Sequence, residues 1–234
     1  PAWIWGKKGE SWGVIDANSA SDADLWIAYA LLEASRVWCN QTYADKARTL
    51  GDLILNKESM EVSGLGLSIL PGHTGFVLDN GAVKLNPSYL PPFMMARFAN
   101  AWADDSRWAQ VYLASQKLLL DTGRTGQYPD WVLYNNGEMS LPDDEQRGDY
   151  DAIRTYLWIA MSSENDPTTA PLLKQLSPLA ALPLAPSLLE ADPALALAVL
   201  DAVPAAFFFA GAFFAPAAPA FFATGIPPRR WVGG

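Results

Sequence analysis

Two carboxylates set two residues apart, Asp22 and Asp24, open the apolar run Leu25-Trp26-Ile27-Ala28-Tyr29-Ala30-Leu31-Leu32. A third, Asp151, stands in Tyr150-Asp151-Ala152-Ile153-Arg154, three residues before a guanidinium. Carboxyl groups in such settings can move protons, a neutral one as general acid and an ionised one as general base. On a helix Arg154 lies on the same face as Asp151. A neighbouring cation keeps an aspartate ionised, as a base requires. Spacing alone leaves plainer alternatives open. Asp151 and Arg154 also fit a salt bridge at a helix start. Asp22 and Asp24 also fit an ordinary acidic helix end, with Ser21 or Asp22 capping free N–H groups.

Several other chemistries are excluded or poorly served. His73 is the only histidine and Cys39 the only cysteine. Nothing around His73 resembles a nucleophile turn. There is no disulfide framework and no histidine–cysteine cluster for zinc, so no metal is expected. Cys39 reads as a small buried side chain. No glycine-rich phosphate loop is present, and no cofactor is expected. A net charge of −9 argues against nucleic acid or an anionic membrane surface as partner. Ten Trp, eight Tyr and ten Phe suit a neutral polysaccharide, whose sugar rings stack on aromatic faces. Most of those rings should nonetheless be core packing.

The elements that would position these groups are mostly helical. The 234 residues, half of them hydrophobic, suffice for one domain with a sizeable core. Residues 1–19 read as a tryptophan- and glycine-rich loop. A helix over residues 22–38 is apolar nearly all round and should be buried on most faces. Tyr43, Ala47, Leu50 and Ile54 mark an amphipathic helix, and the glycines from 64 to 75 a loop. Pro91 and Pro92 fit the first turn of a helix running through Met94, Met95, Phe98 and Trp102. Trp108, Val111, Tyr112, Ser115 and Leu118 mark another. A loop over residues 123–148 precedes helices at residues 149–160 and 168–176. Strand signals are scarce. Buried helices alternate with amphipathic ones, as a double-layered helical barrel requires.

The segment ASDADLWIAYALLEASRVW, residues 20–38, resembles the signature of glycoside hydrolase family 8. LNPSYLPP at 85–92, PDWV at 129–132 and YDAIRTYLW at 150–158 extend the likeness in order. The resemblance covers residues 1–176 and leans toward members tied to bacterial cellulose synthesis. It implies an all-α, (α/α)6-barrel domain and inverting, endo-acting hydrolysis of β-1,4-glucan. Xylan, chitosan or mixed-linkage glucan are alternative substrates, and a non-catalytic glucan-binding subunit an alternative function. The partners implied are a glucan chain and a cellulose synthase or export complex; the location implied is periplasmic or secreted. By the same resemblance Asp151 is the general base, and Asp22 grips hydroxyls of the distorted sugar. Asp24 backs it up or caps. Tyr89 and Tyr150 orient water or base beside Arg154, and Trp131 is a sugar platform or a core residue.

The family's general acid is a glutamate in a Ser-Glu-Gly-Gln-Ser-Tyr type motif ahead of the signature, and no such motif occurs here. Glu10, in Gly9-Glu10-Ser11-Trp12, sits in the wrong context and does not receive the role. Either the acid precedes Pro1 or the chain is inactive. A complete barrel has about twelve helices of ordinary length. Part of it, at the N-terminal side, is therefore expected to be missing. Residues 177–234 change character: Ala, Pro, Leu and Phe dominate, and Lys, Asn, Gln, Tyr and Met are absent. A membrane span, interrupted by Pro204, Pro216 and Pro219, is one reading. A low-complexity tail is another. The preferred one is further helices of the same barrel beneath a sequence of doubtful assignment.

Overall fold

The computed structural model describes residues 1–142 and 148–180. The expectations for residues 181–234 lie outside them. Six helices form the frame: α1 (Ser21–Trp38), α2 (Gln41–Lys57), α3 (Pro92–Ala101), α4 (Ser106–Thr122), α5 (Tyr150–Ala160) and α6 (Thr169–Ala180). They pack as three sequential pairs, α1 on α2, α3 on α4 and α5 on α6. None of the described helices is long and apolar enough to cross a membrane.

Aromatic side chains lock the pairs together. Trp26 of α1 meets Trp158 of α5 at 5.3 Å and Phe93 of α3 at 6.1 Å, and Phe93 meets Trp158 at 6.2 Å. Such tilted and edge-on contacts set the negative ring face against a positive edge. One cluster thus fixes three helices that sequence separates widely. A second cluster, Phe98, Trp102 and Trp108, joins α3 to α4, with Phe98 and Trp102 stacked at 4.8 Å. Gly51 of α2 lets the backbone close on it; a Cβ there would lie 2.8 Å from the Trp102 ring.

Several local expectations change. Residues 1–19 carry a hairpin, β1 (Ile4–Lys8) and β2 (Ser11–Asp16), not only loop. Its two-residue turn is Gly9-Glu10, with Gly9 at φ 63°, a sequence pattern that selects tight hairpins. The glycine-rich segment after α2 likewise forms a hairpin, β3 (Ser59–Val62) and β4 (Gly66–Ile69). The long loop after α4 contains β6 (Val132–Asn135) and β7 (Glu138–Ser140), which join β5 (Val83–Leu85) in an antiparallel sheet. These strands are short and precede or connect the helices, so the helical frame stands.

Three side chains also differ from expectation. Neither Ser21 nor Asp22 caps α1: Ala20 occupies the N-cap without a side-chain bond. Instead the Ser21 N–H donates to the Pro71 carbonyl at 3.0 Å, and Asp22 Oδ1 accepts from the adjacent Ala23 N–H at 2.8 Å while Oδ2 faces the rest of the molecule. Cys39 is exposed, not buried, because it ends α1 in the left-handed region at φ 50°. α1 is also less enclosed than its composition suggests. Ile27, Val37 and Trp38 are exposed, as are Ile153 and Leu157 of α5.

α5 receives its cap from a distant segment. Asp130 Oδ1 accepts from the Asp149 N–H at 2.8 Å and the Ala152 N–H at 2.7 Å. A carboxylate there satisfies free first-turn donors and complements the helix dipole.

Two substitutions test this frame by urea denaturation. Trp108→Ala should cost about 3–5 kcal/mol, as expected for a fully buried indole. Trp108→Phe should cost much less, because its Nε1 has no hydrogen-bond partner among the described residues. Asp130→Ala should cost about 1 kcal/mol through loss of the α5 cap, and Asp130→Asn, which keeps an acceptor oxygen, should recover most of it.

Candidate active site

α1 and α5 bring Asp22 and Asp151 to one place through a single side chain. Arg154, one turn into α5, donates from Nη1 to Asp22 Oδ2 at 3.1 Å and from Nη2 to Asp151 Oδ1 at 2.5 Å. Two carboxylates on the two terminal nitrogens of one guanidinium lie on the same side of the bundle. They are well inside the spacing that would separate them into different sites. All three groups are partly open to solvent: the side chains of Asp22, Asp151 and Arg154 keep 22%, 28% and 35% of their exposure. One positive charge between two negative ones leaves a net negative centre that water can reach.

The second Asp151 oxygen is held by a residue the sequence reading quoted but did not single out. Asn86 Nδ2 donates to Asp151 Oδ2 at 2.6 Å. The Asn86 Oδ1 accepts from the Ser88 N–H at 3.0 Å and the Ser88 hydroxyl at 2.7 Å. Asn86 thereby caps the short 3-10 turn Pro87–Tyr89. The Ser88 carbonyl in turn accepts from Trp158 Nε1 of α5 at 2.9 Å. An Asn-Pro pair is a readable turn signal. That the same side chain would reach a carboxylate 65 residues further on is not.

The turn presents Tyr89, whose ring lies 5.5 Å from the Arg154 guanidinium carbon. Burial pushes its phenol up to about 12, the nearby Asp22 and Asp151 charges add to the shift, and Arg154 opposes it. Tyr89 therefore remains a neutral O–H group beside the carboxylates at any working pH. Trp131 extends the aromatic surface. Its ring stacks near Phe76 at 6.1 Å with planes 10° apart, and lies 6.0 Å from Tyr89. Lys84 Nζ sits 4.6 Å from its centroid. The Trp131 side chain is half-buried, between the core and platform roles.

The other residues named from the sequence make no hydrogen bond with the Asp22–Arg154–Asp151 group. Tyr150 opens α5 but is 84% exposed; it makes no hydrogen bond or ring contact among the described residues. Glu10 lies in the β1–β2 turn, pairs with Lys7 at 3.9 Å and is fully exposed. Asp24 turns away from Asp22 and is buried, 3% exposed. His73 joins Ser19: the Ser19 N–H donates to Nδ1 at 3.1 Å, and the His73 N–H donates to the Ser19 oxygen at 3.1 Å. This reciprocal pair staples two loops. Among the described residues no cluster of three or more His, Cys, Asp or Glu could hold a metal.

Comparison with known proteins identifies the family and the fold. The sequence profile of the glycosyl hydrolases family 8 matches residues 1–188. An endoglucanase of Escherichia coli K12 is 43% identical over 183 residues, 77% of this chain and 49% of that protein. An endoglucanase of Xanthomonas axonopodis pv. citri is 44% identical over 179 residues, 76% and 46%. The crystal structure of an endo-1,4-D-glucanase from Vibrio fischeri ES114 superposes with a TM-score of 0.73 at 44% identity, covering 76% of this chain and 52% of that one. An endo-beta-1,4-glucanase from Acetobacter xylinum gives a TM-score of 0.62 at 30% identity, covering 73% and 53%. The chain thus spans about half the length of the curated relatives it matches. Its three helical pairs are part of an (α/α)6 barrel. The chain belongs to glycoside hydrolase family 8.

Proposed function

We propose that this chain carries the general-base half of an endo-acting β-1,4-glucan hydrolase that inverts configuration. The observation that carries the reading is the Asp22–Arg154–Asp151 bridge. Inverting hydrolysis needs an ionised carboxylate that takes a proton from water on one face of the sugar, and an acid about 6.5–9.5 Å away that protonates the leaving oxygen. Asp151 suits the first task. Each of its oxygens accepts one bond, from Arg154 or Asn86, and an ionised carboxylate has about four acceptor positions. Lone pairs therefore remain for a water, while the two bonds fix its direction. Asp22, oriented by the other guanidinium nitrogen, is placed to bind sugar hydroxyls. The residual negative charge suits an oxocarbenium-like transition state.

The acid is the family-motif glutamate, which this sequence does not contain, so activity requires the segment that supplies it. The named activities of the relatives, endoglucanase and endo-1,4-D-glucanase, support glucan as substrate. A role in cellulose synthesis and export, in the periplasm or outside the cell, rests on the sequence words at residues 85–92 and 150–158 alone. One feature favours a second reading, a glucan-binding subunit without hydrolysis: no glutamate among the described residues contacts the Asp22–Arg154–Asp151 group.

Asp151→Asn, in a protein that includes the acid segment, should lower reducing-sugar release from carboxymethylcellulose by at least about 10²-fold. The amide keeps a carbonyl for Arg154 but sets its NH2 against that of Asn86, so about 1 kcal/mol of stability should go with it. Circular dichroism checks that the variant is folded. Retention of more than about a tenth of the activity would remove Asp151 as base. Proton NMR of the first product formed should show an α-configured new reducing end; a β-configured one rules out inversion.

A further inference from the structure

On the far side of the α1 terminus from Asp22 lies a second acidic pair that the reaction does not use. Asp24 and Glu58 are 3% and 4% exposed. Asp24 belongs to the first turn of α1, and Glu58 ends α2 with its N–H on the Ile54 carbonyl at 2.8 Å. The Glu58 carbonyl accepts from the Leu70 N–H at 2.6 Å. The pair therefore sits where α1, the α2 end and the 70–73 segment converge, beside a cavity of about 400 Å³ lined also by Ser19, Leu50, Ile54, Lys57 and His73. Glu58 Oε2 is fully buried with no hydrogen-bond partner. A buried carboxylate oxygen left so is costly, whereas a protonated one can donate to its neighbour.

We propose that Asp24 and Glu58 share one proton, Glu58 donating to the Asp24 carboxylate, and that this bond fixes the first turn of α1 and with it the position of Asp22. Asp24 and Glu58 are thus positioning residues, since neither touches the Asp22–Arg154–Asp151 group. The inference rests on the site reading only for its last link, from α1 to Asp22. The charge balance supports it. Burial, first, and the Asp24 charge raise Glu58 to about 7, against a bond from Ser19 that lowers it. The other titratable groups facing the pair are Lys57 and His73 of the cavity wall.

The sign follows. A glutamate raised in the folded state binds a proton that the unfolded chain releases. Its stabilisation is fully present below about 4.5, the unfolded value, and is lost as pH rises through about 7. Above that, a second negative charge appears inside and the first turn of α1 loosens.

Glu58→Gln keeps a donor toward Asp24 and removes the titration; Asp24→Asn donates to an ionised Glu58 and removes the repulsion that helps raise it, so its pH dependence should be weaker than that of the wild type. Thermal melts from pH 4.5 to 9 should show the wild type losing stability relative to both variants, with the folding constant falling about tenfold or more against Glu58→Gln. Hydrogen exchange of peptides covering residues 20–26 should show protection of the α1 first turn falling between pH 5 and 8 in the wild type. Corrected for intrinsic rates, it should stay level in Glu58→Gln. His73→Gln should retain the wild-type behaviour. A pH-independent stability difference overturns the shared proton, as does loss of the pH dependence in His73→Gln. If the melts behave as expected but first-turn protection does not, the positioning role fails. None of these readouts needs glucan or catalysis, so failure of the hydrolase reading is seen separately, in the carboxymethylcellulose assay.

Discussion

Arg154 divides one positive charge between two aspartates drawn from opposite ends of the described chain, and everything around the site serves that division. The guanidinium is a flat fork whose terminal nitrogens point in fixed directions. α1 and α5 must therefore cross at a set offset for both bonds to form. The Trp26–Trp158–Phe93 cluster supplies the offset from below, and the Trp158 bond to the Ser88 carbonyl fixes it from the side. The core packs helices, but the guanidinium dictates how closely their ends must agree.

Asn86 and Asp130 transmit the same constraint to the loops. Asn86 caps a turn with one end of its amide and holds Asp151 with the other. Asp130 anchors the start of α5 from the strand-bearing segment after α4. The three small sheets are thus more than decoration on a helical frame. The β5–β6–β7 sheet sets where Asp130 and Trp131 emerge, between the cap of one helix and the aromatic surface of the site.

Periodicity revealed the helices well. The 3.6-residue spacing of Leu25, Ala28 and Leu32, or of Trp108, Val111 and Leu118, is local and survives without knowing the partner. The Asp151–Arg154 pair was legible for the same reason, being one helical turn. The Arg154–Asp22 bond was not, because nothing in either segment encodes its register against the other; only the family likeness linked them. The β1–β2 hairpin is hard to read because strands rich in Gly, Trp and Lys carry little alternation, and β3, β4, β6 and β7 are only three or four residues long. Burial around α1 was overstated because its apolar faces at Ile27 and Val37 meet no described partner. Asn86 is legible as a turn residue before Pro87, but its second bond depends on a residue that comes much later.

The bridge between Asp22 and Arg154 spans 132 positions of sequence. Loop closure over such a length costs entropy before any contact repays it, and contacts of this kind slow folding. The helical pairs, being local, can form as the chain emerges during synthesis. The bridge cannot exist until α5 has been made and has docked on α1. A nascent or partly folded molecule therefore has its core hairpins but no assembled carboxylate centre. The pairing of the two aspartates therefore waits on a long-range docking step that follows the making of both helices.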